Sequence, residues 1–201
     1  MSSVLVYGGA FNPPTIAHIE TAAYALKESG YDKVIFVPTK MTYIRSDQHK
    51  DYAFSDEERL AMLRKTAETR TWMQVSDYEI NSAKQPRTLV TLRHLSENYD
   101  HCSLLFGSDK LTELETGWMR ADLIAKDYGI WCMSRNGDHC EEIIDNDPYL
   151  SGLKQYIHII HLPEKYQDIS SSKVRKLLKE HHYDEAMNLI PEELHGFLNE
   201  V

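Results

Sequence analysis

The chain reads VLVYGGAFNPPTIAHIETA over Val4–Ala22, and this stretch determines how the fold begins. An apolar, β-branched run that ends in Gly8–Gly9 predicts a strand, followed by a turn whose backbone a ligand can approach closely. A residue before proline avoids the α region, so Asn12 and Pro13 stay outside it and the following helix can begin only near Thr15. The stretch therefore predicts a strand, a tight loop and a helix start.

The start of that helix carries Thr15 and His18, which share one face of its first turn. Unpaired N–H groups at a helix start favour an anion, and a hydroxyl and an imidazole beside them add further donors. We therefore predict a phosphate site with a catalytic donor, while a corner with an ordinary, hydrogen-bonded histidine stays an alternative. No Gly-Lys-Ser/Thr follows the glycines and GGAFNP lacks GxGxxG spacing, which excludes a P-loop and the usual dinucleotide fingerprint.

The composition is that of one α/β domain with a sizeable core. The chain has 201 residues, of which 42% are hydrophobic and 26% charged, and we expect a single domain over residues 1–201. Its net charge of −9 would repel a polyanion, so neither nucleic acid nor an acidic membrane surface is an expected partner. No apolar run approaches the ~20 residues of a membrane span, and Met1–Val6 lacks the cationic start of a signal peptide, so a cytoplasmic location is expected.

Six apolar runs rich in β-branched and aromatic residues predict strands. They are Val4–Tyr7, Lys33–Val37, Trp72–Val75, Ser103–Phe106, Gly129–Met133 and Tyr156–Ile160. Stretches of helical periodicity separate most of them, and this alternation predicts a parallel sheet with helices on both faces. After residue 168 the pattern is only helical, so residues 1–168 are expected to form a sheet core and residues 169–201 a helical tail. The predicted tail helices are Ser170–Glu180, Asp184–Leu189 and Pro191–Asn199.

Local signals add detail between the strands. Ser55 followed by Glu58 is a capping box, and Thr88 is predicted to cap another helix. The polar segment Met41–Ala53 lacks periodicity, which indicates either a mobile ligand loop or an ordinary solvated loop. The cysteines lack CxxC spacing, so we expect them to be reduced and structural, with a metal or nucleophile role as the alternative. They are Cys102, Cys132 and Cys140.

Two signatures at opposite ends of the chain resemble those of the nucleotidylyltransferase superfamily. The first strand of that superfamily runs into a GxF-[DN]-P-x-[HT]-x-x-H loop, met here as Gly9–Pro13 followed by Thr15 and His18. The second signature, ISS[ST]-x-[IV]-R, is met here as Ile169–Arg175. The resemblance implies an α/β fold: a Rossmann-like, doubly wound parallel sheet with helices on both faces and a helical C-terminal tail.

Within the superfamily the chain looks most like the nicotinate-mononucleotide adenylyltransferases. The G-[AS]-D segment of that branch is met as Gly107–Asp109 and its W-x-R segment as Trp118–Arg120. Further matches lie at Val75–Glu79, Pro86–Leu89 and Met133–Arg135. Thr15, Ala17 and Ser172 depart from the bacterial pattern, where histidine, glycine and threonine are usual. Because Thr15 and Asn12 match nicotinamide-mononucleotide enzymes instead, the sequence leaves the choice between the two substrates open.

The resemblance implies a reaction between ATP and a pyridine mononucleotide. The 5′-phosphate of nicotinate mononucleotide attacks the α-phosphorus of ATP, which gives deamido-NAD and pyrophosphate in NAD biosynthesis. Since the nucleophile is already an anion, alignment and charge neutralisation suffice without a general base. Mg²⁺ is expected mainly on ATP oxygens, with no metal site in the protein. Another nucleotidylyltransferase of the superfamily or a non-catalytic nucleotide sensor stays an alternative, and the oligomeric state, including a homo-oligomer, is left open.

The resemblance also assigns residues to roles. The catalytic residues are His18, Thr15 and Arg175. The ATP-binding residues are Gly8, Gly9, Ala10, Phe11, Gly107, Asp109, Ile169, Ser171 and Ser172. The mononucleotide-binding residues are Thr88, Trp118, Arg135 and Lys40. Structural alternatives are a helix cap for Asp109, an ordinary N-cap for Ser171–Ser172 and a core tryptophan for Trp118. Lys40, His49 and Lys50 are expected either to reach the triphosphate from their loop or to be solvated.

Overall fold

A computed structural model of the protein describes residues 2–43, 54–135, 137–166 and 168–198. Within these residues six strands form one parallel sheet of order β3-β2-β1-β4-β5-β6. They are β1 Ser3–Gly9, β2 Lys33–Pro38, β3 Met73–Val75, β4 His101–Gly107, β5 Ile130–Ser134 and β6 Ile157–His161. Each overlaps one of the predicted runs, so the predicted strands and the parallel sheet are confirmed.

Helices and short 3₁₀ turns connect the strands. The helices up to residue 128 are α1 Ile16–Ser29, α2 Asp56–Ala67, α3 Tyr78–Asn81, α4 Thr88–Ser96, α5 Leu114–Gly117 and α6 Ala121–Tyr128. Those that follow are α7 Cys140–Asn146, α8 Pro148–Ser151, α9 Ser171–Lys179, α10 Tyr183–Met187 and α11 His195–Leu198. The 3₁₀ turns are Ser108–Glu113, Lys154–Tyr156, Glu164–Tyr166 and Glu192–Leu194.

Both faces of the sheet are buried, as the near-continuous apolar runs predict. On one face Val4 and Val6 of β1 pack in a cluster with residues of α4 and α6. On the other face Leu5 packs with residues of α1. The alternation along β1 thus places successive side chains in different cores, and the Rossmann-like, doubly wound architecture is confirmed.

The order of the strands reverses between β1 and β4. From β1 the chain proceeds to β2 and β3 on one side, and then crosses to β4 on the other side. Val6 is in register with Leu104 and Tyr7 with Leu105, so the carboxyl ends of β1 and β4 lie side by side. In open α/β sheets this switch point forms the crevice in which ligands bind.

The helix starts follow the sequence signals with one exception. Thr15 is the N-cap of α1, and Ser55 and Glu58 form the predicted capping box of α2. The predicted cap at Thr88 is wrong, because Arg87 is the N-cap of α4 and Thr88 is its first helical residue. Arg87 has extended backbone angles (φ −75°, ψ 149°) that end the preceding loop, and it caps the helix without a side-chain hydrogen bond.

The helical tail begins as predicted and ends in shorter pieces. Ser170 caps α9, but the single helix expected over Pro191–Asn199 is a 3₁₀ turn followed by α11. Apolar side chains of the tail form a separate core with Phe54 and with Met62 of α2. The tail is therefore packed against α2, while the prediction of one domain over residues 1–201 stays a prediction.

Two further expectations concerned the state of the cysteines and the absence of a membrane-spanning helix. Cys102, Cys132 and Cys140 are free and buried, consistent with a structural role. Among the helices that the structure describes, none combines the length and apolar character needed to cross a bilayer.

Candidate active site

Two cavities open at the carboxyl edge of the sheet, one on each side of the junction between β1 and β4. The His18 cavity, of ≈ 630 Å³, is bordered by the loop after β1, His18, Asp109, Arg135 and Ile169–Ser171. The Trp118 cavity, of ≈ 720 Å³, is bordered by residues from Glu79 to Thr91 and from Glu113 to Trp118. They adjoin, since both are bordered by Gly8, Gly9, Phe106 and Lys110.

His18 is held against the N-cap of its own helix. The Thr15 backbone N–H donates to His18 Nδ1 at 3.1 Å, and Thr15 Oγ1 lies 2.8 Å from the same nitrogen. Because the Nδ1 lone pair accepts these contacts, we infer that the neutral ring carries its hydrogen on Nε2. The capping box therefore fixes both the tautomer and the orientation of the imidazole. Thr15 is fully buried and does not border the cavity, so the structure places it behind His18.

An aromatic layer supports His18 from below. The ring of buried Phe11 meets the imidazole edge-to-face at 5.3 Å, and Tyr7 meets Phe11 at the same separation. Phe11 has a positive φ of 43°, in the left-handed region. A Cβ on Gly9 would approach the Phe11 ring to 3.1 Å, so the glycine makes this close packing possible. Burial raises the pKa of the Tyr7 hydroxyl, which keeps this layer uncharged.

The start of α9 meets the start of α1 through the loop between β1 and α1. Ser171 Oγ donates to the Pro13 carbonyl at 2.7 Å, and an Arg175 Nη donates to the Asn12 carbonyl at 2.7 Å. The other Arg175 Nη donates to Ser172 Oγ at 3.0 Å. The structure thus brings the two sequence signatures together, although they lie about 160 residues apart. Ile169 and Ser171 border the His18 cavity, whereas Ser172 and Arg175 stand behind it.

The far wall of the His18 cavity comes from β4 and β5. Asp109 lies two residues after Gly107, where a Cβ would lie 2.8 Å from Asp109 Oδ1, so a side chain at position 107 would displace this carboxylate. The loop after β5 is closed by Asp138, which accepts from the Arg135 N–H at 2.8 Å and from the Ser108 hydroxyl. Arg135, which was predicted to bind the mononucleotide, borders the His18 cavity, because β5 lies beyond β4 and away from β2.

In the Trp118 cavity the predicted residues Thr88 and Trp118 are both on the wall. Trp118 is half-buried, and its ring lies 5.7 Å from the Phe106 ring. The indole thus packs on the core through Phe106, and the same residue borders the cavity. Thr88 contributes to the wall as the first residue of α4.

A buried carboxylate that the sequence did not single out organises the same cavity. Glu79 is 7% exposed, accepts from the Thr91 hydroxyl at 2.7 Å and accepts from Gln85 Nε2 at 2.5 Å. Burial raises the pKa of Glu79, and the two hydrogen bonds oppose that shift. Gln85 Oε1 in turn accepts from the Lys40 N–H at 2.9 Å. The network joins the residue after Thr39 to the loop before α4.

Lys40 itself borders neither cavity. Its ammonium group donates to the Ile80 carbonyl, which holds the side chain beside α3. The other cations predicted for this loop, His49 and Lys50, lie outside the described residues. Within the described ranges, no group of three or more His, Cys, Asp or Glu side chains is placed to hold a metal ion.

A second residue that the sequence did not single out, Arg59, lies under the loop between β1 and α1. Its side chain is fully buried in α2 and donates to the carbonyls of Ala10 and Thr39, each at 2.6 Å, and to Asp56 Oδ1 at 2.5 Å. Asn12 Oδ1 adds a link by accepting from the Phe54 N–H at 2.8 Å. Charged residues on an amphipathic helix are normally solvated, so the pattern of α2 carried no signal for this role.

Comparisons with known proteins agree with this geometry. A family model described as cytidylyltransferase-like matches residues 6–177. A probable nicotinate-nucleotide adenylyltransferase of Caldicellulosiruptor bescii is 32% identical over 88% of this chain and 87% of its own. The nicotinamide/nicotinic acid mononucleotide adenylyltransferase of Arabidopsis thaliana is 31% identical over 87% of this chain and 79% of its own.

A solved structure is also similar in fold. The Plasmodium falciparum nicotinic acid mononucleotide adenylyltransferase complexed with NaAD superposes with a TM-score of 0.71 at 18% identity, covering 98% of this chain and 96% of that one. The family model, the relatives and the fold thus agree with the two sequence signatures that the structure brings together. The chain belongs to the cytidylyltransferase-like family and, within it, to the nicotinate-nucleotide adenylyltransferases.

Proposed function

We propose that the protein transfers the adenylyl group of ATP to nicotinate mononucleotide, which yields deamido-NAD and pyrophosphate. The observation that carries this proposal is the pair of adjoining cavities, which meet at Gly8, Gly9 and Phe106 between β1 and β4. Two nucleotides placed in them would have their phosphates at this junction. The names of the relatives, all adenylyltransferases of pyridine mononucleotides, support the same reaction.

ATP is assigned to the His18 cavity. The starts of α1 and α9 border it, and the partial positive charge at a helix start favours phosphate. The Nε2 hydrogen of His18 would meet the α-phosphate, while the Ser171 region would meet the β- and γ-phosphates. Arg175, anchored on the Asn12 carbonyl, adds positive charge behind them. Asp109 at the end of β4 would accept from a ribose hydroxyl. Thr15 then acts through His18 as a positioning residue.

The mononucleotide is assigned to the Trp118 cavity. Trp118 offers an aromatic face for the electron-poor pyridine ring, and Thr88 lies at the start of α4 on the same wall. Arg135 is not included among the mononucleotide-binding residues, because it borders the His18 cavity, where it is proposed to contact ATP. Lys40 is also not included among the mononucleotide-binding residues, since its polar groups bind the Ile80 carbonyl and Gln85.

Nicotinamide mononucleotide is the second candidate substrate. Thr15 and Asn12 match the nicotinamide enzymes, and the Arabidopsis relative is named for both substrates. Mg²⁺ is proposed to enter on the phosphate oxygens of ATP together with water, which is its usual binding mode at nucleotide sites.

The experiment is a pyrophosphate-release assay with ATP and each mononucleotide in parallel, with the dinucleotide product identified by mass. The proposal predicts turnover when ATP and a mononucleotide are both present, and no turnover when either is omitted. It predicts faster turnover with nicotinate mononucleotide than with nicotinamide mononucleotide. Turnover with nicotinamide mononucleotide and ATP, but not with nicotinate mononucleotide and ATP, would show that nicotinamide mononucleotide is the substrate. Tight ATP binding without pyrophosphate release would indicate a nucleotide sensor, and turnover only with other phosphorylated acceptors would indicate another nucleotidylyltransferase.

A further inference from the structure

One cation stands where the two cavities meet. Of the described residues, Lys110 is the single positively charged one that borders both the His18 cavity and the Trp118 cavity. It follows Asp109 in the 3₁₀ turn that begins at the end of β4, beside the switch point of the sheet. This location depends on the meeting of two cavities, and no sequence pattern pointed to it.

The ammonium group lies between a carboxylate of each cavity. Lys110 Nζ is 3.5 Å from Asp109 Oδ2, on the His18 side, and 3.2 Å from Glu113 Oε1, on the Trp118 side. Partial burial lowers the pKa of Lys110, but the two carboxylates outweigh this effect and hold the pKa above its ordinary value. The group is therefore a cation at any pH at which the protein is expected to work.

The two ion pairs leave the ammonium able to change partners. Charge-assisted N–H···O contacts are ordinarily about 2.7–2.9 Å long, and both distances here exceed that range. The Lys110 side chain is 40% exposed, and exposed pairs of this kind contribute little to stability. A phosphate that arrives at the junction can thus compete for the ammonium with Asp109 and Glu113.

We propose that Lys110 is a further catalytic residue, whose ammonium group bridges the α-phosphate of ATP and the 5′-phosphate of the mononucleotide during transfer. In that step an oxygen of the mononucleotide phosphate forms a bond to the α-phosphorus. The bond from that phosphorus to the β-bridging oxygen breaks, and pyrophosphate leaves with the electron pair. Lys110 keeps its proton throughout, and its charge offsets the repulsion between two anions that must approach each other. This assignment rests on the proposed function.

The test compares Lys110→Met with Lys110→Arg in the pyrophosphate-release assay on the full chain. Lys65→Met is the matched control, because Lys65 also forms an exposed i,i+3 pair, with Glu68, outside both cavities. Lys110→Met is expected to lower kcat about 10-fold or more with an unchanged melting temperature, as for the loss of a donor used in the transition state. Lys110→Arg, which keeps the charge, is expected to recover most of that loss.

The assignment would be overturned if the wild type is active and the turnover of Lys110→Met is within about twofold of that of the Lys65→Met control. Equal losses in the Met and Arg variants would also overturn it, because a packing role and not the charge would then be responsible. If Lys110→Met melts early, Lys110→Gln replaces it as the neutral variant. Wild type that releases no pyrophosphate would instead overturn the proposed function, and this assignment with it.

Discussion

At the scale of single residues, the site is built from groups whose polar atoms are already committed to one orientation. His18 is fixed by Thr15 on one side and by Phe11 below, so its Nε2 hydrogen has a defined direction before any ligand arrives. Such preorganised donors stabilise charge that develops in a transition state, because no reorganisation is needed at the moment of reaction.

Replacing His18 with alanine tests this arrangement. The variant is expected to lower kcat by about 10²-fold with a smaller change in the KM for ATP, since the donor acts mainly on the transition state. The steady-state pyrophosphate-release assay measures both constants. His101→Ala is the control, because His101 lies on β4 at the opposite edge of the sheet. Equal turnover in the two variants would remove His18 from the catalytic set.

Residues at helix starts were predictable from sequence, whereas residues with long-range partners were not. Thr15 and His18 could be placed at the start of α1 because proline restrictions and cap preferences act within one helical turn, whereas Ser171 was named from the family resemblance. Arg59 donates to Ala10, which is 49 residues away, and Lys110 gains its place only where two cavities meet. No local pattern encodes such partners, because they depend on how the strands are ordered in the sheet.

At the scale of elements, α2 connects the two chain segments that follow β1 and β2. Arg59 joins the Ala10 and Thr39 carbonyls to the first turn of α2, while Asp56 also accepts from the Met41 N–H at 2.7 Å. The loop between β1 and α1 is thus supported by an internal cation and not by bulk packing alone. Removing one partner of such a buried network leaves polar groups without their hydrogen bonds.

Arg59→Met is expected to reduce the free energy of unfolding by about 2–4 kcal/mol, because the Ala10 and Thr39 carbonyls lose a donor and Asp56 loses its charged partner. Urea unfolding measures the change. Arg64→Met in the same helix is the control: its pair with Asp77 is exposed on both sides and should contribute under about 1 kcal/mol. Equal effects of the two substitutions would show that the Arg59 network does not stabilise the loop.

The Glu79 network joins α3 to α4, to the loop before α4 and to the segment after β2. The Glu79 carboxyl group predicts a pH effect on stability. Burial raises the pKa of Glu79 in the folded state above the ordinary value of 4.5. The folded state then binds the proton more tightly than the unfolded state, so stability falls as pH rises from about 4.5 through the folded pKa. Glu79→Gln removes this titration.

The advantage of wild type over Glu79→Gln in free energy of unfolding should therefore shrink across that pH window and then level off. Urea unfolding at several pH values, with the exposed Glu97→Gln as the control, provides the comparison. A difference between wild type and variant that grows as pH rises would contradict the assigned direction of the shift.

Element types were more predictable than element ends. The six strands were found because apolar β-branched runs are needed to bury both faces of a parallel sheet. The cap of α4 was assigned one residue late, because Arg87 ends the loop by its backbone angles and gives no side-chain signal. The last tail helix was overestimated because apolar spacing does not distinguish a 3₁₀ turn from an α-helix over a few residues.

At the scale of the whole molecule, contacts of the helical tail position the start of α9 against the loop after β1. The Ile16 N–H, at the first turn of α1, donates to the Leu189 carbonyl of the tail at 3.0 Å. Arg70, after α2, pairs with Glu193 in the tail, and the tail core packs on Met62. These contacts hold the start of α9 against the loop after β1, which is why residues far apart in sequence face one cavity.

The most direct test of this account is a crystal structure of the protein with ATP and Mg²⁺. The account predicts the triphosphate in the His18 cavity, with His18 Nε2 about 3 Å from an α-phosphate oxygen and the start of α9 at similar distances from the β- and γ-phosphates. A nucleotide bound elsewhere, or bound with its triphosphate directed away from either helix start, would contradict the claim that both helix starts hold one triphosphate.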